Sequence, residues 1–310
     1  MAGVVAAVLP AAGCGIRLED DAPRIPLVPT RTPVPAEAEL VALTRDTASL
    51  ARLAASVDGS LAADLATLHG RQYTVLRTTL MARGVPADDL EALPAGSPTS
   101  SASAAASLPP TPAPSPAVTP VAGRAALATA EGASAAGAAG FAEVEDDLAP
   151  TIASLHAQRY AAASLLRGRP PAVPLDALGG DRVAELATST GAAVYFLEVV
   201  AARSTGAVRA RSDTTLAALR DLRADQLAGG AQADPSLGHP LPFPVDGPAA
   251  AARLARESLR TLRAGYGEHL GPIVASDGGA GLAALTRWLG SVEVEAHRWG
   301  VELDPFPGLT

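Results

Sequence analysis

Two stretches repeat a pair of residues with chemical potential. LATLHGRQYT (65–74) and IASLHAQRYA (152–161) both read aliphatic-Ala-Thr/Ser-Leu-His, then three residues, then Tyr. Residues four apart are neighbours on a helix, so His69 with Tyr73, and His156 with Tyr160, each share a face. Leu65 and Ile152, one turn earlier, continue that face into a core. Two chemistries fit this pattern. Tyr hydroxyls bonded to His nitrogens would form a buried polar network that fixes the register of two hairpins. Two imidazoles approaching near a common axis would instead form a ligand or metal pocket, with Glu131 or Asp46 from neighbouring helices as a third ligand.

The elements that must carry these residues read as helices throughout. The predicted spans are 36–56, 59–84, 122–141, 142–168, 180–203, 208–229, 247–270 and 279–299. In the second, Leu61, Leu65, Leu68, Leu76 and Leu80 recur at steps that line one helical face. No window alternates apolar and polar residues long enough to predict a strand. RGVPADD, LRGRPPAVP, GHPLPFPVDGP and SDGGAG supply breaks, and GGDR reads as another helix-boundary turn. Residues 94–120, uncharged and rich in Ala, Ser, Pro and Thr, are expected to be disordered, because they bury too little surface to offset ordering entropy.

The His-Tyr repeat lies in the second helix of each of two helical pairs, so a duplicated hairpin is expected. The pairs would form one four-helix bundle over 36–170, with 94–120 as a long crossover. A second bundle over 180–308 would repeat the layout. The fold expected is therefore all-α: two tandem up-down four-helix bundles with long crossovers, preceded by a Pro-rich tether.

Composition narrows the setting. The chain has 310 residues, no lysine or asparagine and a net charge of −8, which fits a high-GC genome. Aromatic residues make up 3%, so the interior must be Ala, Leu and Val in closely packed helices. No Arg-rich run or aromatic-basic interleaving predicts a nucleic-acid partner. A single cysteine excludes an internal disulfide and any multi-Cys metal site.

That cysteine follows VVAAVLPAAG, too short to span a bilayer, which takes about 20 apolar residues. The Ala11-Ala12-Gly13-Cys14 stretch resembles a bacterial lipobox, whose cysteine thiol receives diacylglycerol. Residues 1–13 would then be a signal-peptide remnant, with translation starting upstream because no positive charge precedes the apolar run. Residues 14–35 carry prolines at 23, 26, 29, 33 and 35. That density favours a semi-rigid polyproline stalk. Cys14 thus predicts a membrane partner through a lipid anchor, on the extracytoplasmic face.

The segments AELATSTGAAVYFLEVVAA, LAALRDLRADQLAGG, LPFPV and AHRWGVELDPFPGL, with the stalk GCGIRLEDDAPRIPLVPTRTPVP, resemble an actinobacterial ferritin-like domain of unknown function found in secreted lipoproteins. The resemblance covers the C-terminal bundle and the stalk. It implies an up-down bundle with a crossover and carries over no catalytic residue.

A ferritin-like fold raises the question of a di-iron site. Such sites need Glu-x-x-His on two helices plus a Glu from each of the others. The residues three before His69 and His156 are Ala66 and Ala153, and in the second bundle the positions aligned with the histidines themselves are Arg220 and Thr286. Glu293 and Glu295 stand four and two residues before His297, the wrong spacing. His239 is expected to be exposed in a Pro-rich loop, and His269 to sit at a helix end. EVEDD (143–147) reads as a solvated helix start. No nucleophile elbow or Gly-rich phosphate loop is present. The expectation is a non-catalytic, cofactor-free binding or assembly module acting on an envelope protein or small ligand. The alternative is a metal- or small-ligand-binding protein or enzyme built on the first bundle's His/Tyr pairs.

Overall fold

A computed structural model describes residues 31–91, 120–233, 236 and 238–309. Cys14, the signal remnant, the stalk to residue 30 and the segment 92–119 lie outside the described residues. Pro33–Thr310 forms one compact unit.

The described residues are helical and contain no strand. The helices are α1 (Glu37–Ala55), α2 (Ser60–Ala82), the short α3 (Ala87–Leu90), α4 (Pro120–Ala136), α5 (Ala149–Arg167), α6 (Asp181–Ala202), α7 (Gly206–Leu227), α8 (Pro248–Gly267) and α9 (Leu270–Arg298). A 3-10 turn, Ala138–Phe141, follows α4. Leu43, Leu50, Leu65, Leu68, Leu76 and Leu80 are all buried, so the leucine periodicity of α1 and α2 marks their core faces.

Several boundaries differ from expectation: α4 runs from Pro120 to Ala136, not from 122 to 141. α5 starts at Ala149, not 142, with Pro150 in its first turn, where a missing N–H costs no hydrogen bond. The EVEDD run therefore precedes the helix, and its Glu145 and Asp147 hold Arg83 at 3.0 and 2.5 Å. RGVPADD leads into the single helical turn α3, anchored by buried Leu90. SDGGAG breaks the helical run at Gly278, as expected, but the chain is already helical from Leu270, so α9 is two helical stretches joined at a kink. Gly278 alone there takes φ 53° and ψ −126°, a conformation cheap only for glycine.

α1 packs on α2 and α4 on α5, and the two pairs meet through α1 and α4. α6 packs on α7 and α8, while α7 and α8 both reach α9. The helix sets expected as separate bundles, 36–170 and 180–308, meet along α5 and α9 within the single unit. This contact is the most extensive between any two elements. α6 is the one described helix long and apolar enough to cross a membrane by length and composition, and here it packs against α7 and α8.

α5 has no solvent face over most of its length: every residue from Ile152 to Ser164 is buried. Small residues allow that density. Ala153, Ala157, Ala161, Ala162 and Ala163 are fully enclosed, and Gly290 of α9 lets the two backbones approach. A Cβ at Gly290 would lie 2.6 Å from Tyr160 Cδ1 and 2.7 Å from the Ala157 carbonyl oxygen.

The segment after α9 runs back over both sets. Arg263 donates to Glu293 and to the Glu302 carbonyl, and Glu293 accepts the Asp304 N–H at 2.8 Å. Further along, the Pro305 carbonyl accepts from Gln72 at 2.6 Å and the Pro307 carbonyl accepts from Ser154 at 2.7 Å. The AHRWGVELDPFPGL stretch therefore ends in a strap that joins α8 and α9 to α2 and α5.

Gly290→Ala should destabilise the protein by about 2 kcal/mol, because overpacking against a backbone carbonyl outweighs the roughly 1 kcal/mol gain in helix propensity. Denaturant unfolding measures this, and an unchanged or raised midpoint would contradict the close approach.

Candidate functional site

His69 lies on α2 with no solvent exposure. Its Nε2 is 2.6 Å from Glu131 Oε1 on α4, and Arg159 Nη1 on α5 is 2.6 Å from its Nδ1. A carboxylate only accepts, so the short contact to Glu131 is donated by Nε2, while Arg159 Nη1, 2.6 Å from Nδ1 and 3.1 Å from Nε2, lies against the ring and not in line with either nitrogen. Gln72 Oε1, one turn along α2, lies 3.1 Å from the same Nδ1. Burial and then the Arg159 charge lower the His69 pKa, against the opposing pull of Glu131.

Arg159 is the centre of this cluster and is itself fully buried. Its Nη1 is 3.5 Å from Glu131 Oε2, and its Nη2 donates to Thr47 Oγ1 on α1 at 3.1 Å. Thr47 passes its own hydrogen to the Leu43 carbonyl. The Gln72 amide donates to Gln158 Oε1 at 3.2 Å and to the Pro305 carbonyl. Side chains from α1, α2, α4 and α5 thus converge on one guanidinium.

The expected His–Tyr networks do not form. Tyr160 reaches Ser291 on α9 through its hydroxyl, and Tyr73 is half-buried on α2. No hydrogen bond or ring contact joins His69 to His156 among the described residues. Four residues advance a helix by about 40° beyond a full turn. On a helix packed from every side, that offset suffices to aim His156 and Tyr160 at different neighbours.

Of the proposed third ligands, Glu131 does reach His69, but Arg159 shares the position. Asp46 is exposed on α1. No group of three or more His, Cys, Asp or Glu residues among the described residues is placed to hold a metal ion.

His156 is buried on α5, its ring 5.1 Å from that of Phe141. Its Nδ1 lies 2.9 Å from the Ser134 carbonyl, an acceptor, so Nδ1 carries the proton and Nε2 is a bare lone pair. Nε2 is buried without a partner. Burial first, and the Arg159 charge second, lower its pKa to about 3. His156 also lines a groove of about 540 Å³ between α1 and α4.

Arg159, Gln72 and Thr47 were missed in the sequence. A signal was present: the repeat reads GRQY at 70–73 and AQRY at 157–160. Gln72 and Arg159 are therefore equivalent positions, each three residues after its histidine.

In the second helix set, the buried carboxylates serve other ends. Glu293 binds Arg263 and the strap, and burial raises its pKa despite Arg263. Glu295 accepts from Thr215 at 2.8 Å, and Thr215 in turn accepts from the Trp299 indole. Tyr266 is enclosed between Gln226 and Thr190, and burial pushes its hydroxyl pKa above the usual range. Arg220 pairs with Glu198 on the surface, whereas Thr286 is buried. His239 is not free in its loop but half-buried, its ring 5.6 Å from Tyr195 and 6.0 Å from Phe196. His269 stands between α8 and α9, 3.5 Å from Glu185.

Glu131→Gln should destabilise the protein by about 3–5 kcal/mol, because it leaves Arg159 buried without a counter-charge. Glu131→Leu combined with Arg159→Met should cost clearly less than Glu131→Gln alone, and urea denaturation of the three proteins tests this. The histidines predict acid sensitivity. The unfolded chain protonates His156 near pH 6.5, whereas the folded chain resists until about pH 3. Stability should therefore fall as pH drops below about 6.5, by about 1.4 kcal/mol per pH unit for each histidine held neutral. His156→Asn, which keeps a donor for Ser134, should show a shallower acid limb in melting temperature against pH.

No protein-family model, curated protein or solved structure matches this chain.

Proposed function

We propose that this chain is a lipid-anchored binding or assembly module of the cell envelope, built from two ferritin-like four-helix bundles without a di-iron centre. The observation that carries the reading is the cluster around Arg159. In ferritin-like bundles, four helices direct carboxylates and imidazoles onto metal ions. Here Thr47, His69 and Glu131 converge from three helices on the guanidinium of Arg159 on a fourth, with Gln72 against His69.

Electrostatics and access both argue against chemistry at this centre. A divalent cation at His69 Nδ1 would stand beside Arg159 Nη1, which already lies 2.6 Å from that nitrogen. His69, Glu131 and Arg159 have no solvent exposure, so an external substrate has no contact with them. The centre holds helices together, and function passes to the surfaces and grooves. Cys14 and the stalk supply the membrane attachment in this reading, and an envelope protein or small ligand is the partner.

Elemental analysis of residues 33–310 after exposure to iron, manganese, zinc and copper tests the central point. The expected result is no stoichiometric metal in the parent or in a His69→Ala/His156→Ala variant, with the variant melting earlier. Stoichiometric metal that disappears in the variant would overturn the reading. For the anchor, Cys14→Ser in cells making the protein from its own gene should move it from the membrane fraction to a soluble one.

A further inference from the structure

The groove between α1 and α4 has the makings of a small-molecule site. Leu43, Leu50, Leu53 and Phe141 supply an apolar wall. The groove arises because α1 packs tightly on α2, and α4 on α5, while α1 and α4 touch only sparsely. Its volume of about 540 Å³ falls within the range of ligand pockets, roughly 300–1,000 Å³.

One polar group in that lining is unsatisfied. His156 Nε2 is a buried acceptor without a donor, since the Ser134 carbonyl fixes the proton on Nδ1. A buried polar atom left unpaired costs free energy that a matching partner recovers. The remaining charge in the lining is negative: Glu39 and Asp46 contribute carboxylates and no arginine lines the groove. An anionic head group would meet a lone pair and two carboxylates.

We propose that this groove binds a small molecule with an apolar body and a single N–H or O–H head, an apolar amine or alcohol, which donates to His156 Nε2. The apolar body lies along Leu43, Leu50, Leu53 and Phe141. Carboxylates and phosphates of the same size are rejected. This assignment rests on the reading of the chain as a binding module and supplies its ligand class. The two fail separately, because metal uptake dependent on His69 would leave the groove unchanged, and an empty groove would leave the Arg159 centre unchanged.

The test uses residues 33–310 with ¹⁵N-labelled histidine at pH 7, titrated with octan-1-ol, octylamine and octanoate. The alcohol and the amine should each shift the His156 Nε2 resonance, and octanoate should bind at least about tenfold more weakly. His156→Asn should weaken octanol binding by about tenfold, the loss of one hydrogen bond. Ala133→Phe alters an exposed lining residue on α4 and should block the groove while leaving the helical signal and melting temperature intact. An Nε2 resonance unmoved by both donors would overturn the proposal. So would octanoate binding as tightly as octanol, or octanol binding unchanged in Ala133→Phe.

Discussion

A guanidinium sealed from water dictates much of the first helix set. Arg159 cannot shed its proton, and burial disfavours its charge. The helices around it must therefore bring compensation. Glu131 supplies the counter-charge, Thr47 accepts from Arg159 Nη2, and His69, with Gln72 beside it, packs against Arg159 Nη1. Sliding any one of α1, α2, α4 or α5 along its axis would strand a charged or polar group in the interior. Such a cluster adds little net stability, but it allows one register of four helices whose leucine and alanine faces would otherwise tolerate several.

The second constraint is spatial. With few aromatic side chains, the protein fills its interior by bringing backbones together. α5 and α9 carry this strategy furthest, pairing Ala157 and Tyr160 with Gly290. The low aromatic content and the all-round burial of α5 are two views of one packing solution, in which small residues replace bulky ones and interhelical distance shrinks.

Helix content was legible because the leucines of α2 keep a helical step, and proline and glycine mark the ends. The duplicated His-Tyr motif lies on α2 and α5, the helices that carry His69 and Arg159. Its interpretation failed because α5 has no polar face to orient a reader: when every residue from Ile152 to Ser164 is buried, periodicity cannot say which neighbour each one meets. Arginines are usually exposed, and only the equivalence of Arg159 to Gln72 hinted that this one is not. The kink at Gly278 was legible as a break but not as a continuation, since glycine permits both.

The strap after α9 has a consequence for how the chain comes into being. Its carbonyls at Pro305 and Pro307 satisfy donors on α2 and α5, yet these residues leave the ribosome after every helix they fasten. Gln72 and Ser154 lack these acceptors until the strap arrives. Closure of the whole body is thus timed by the arrival of its last segment.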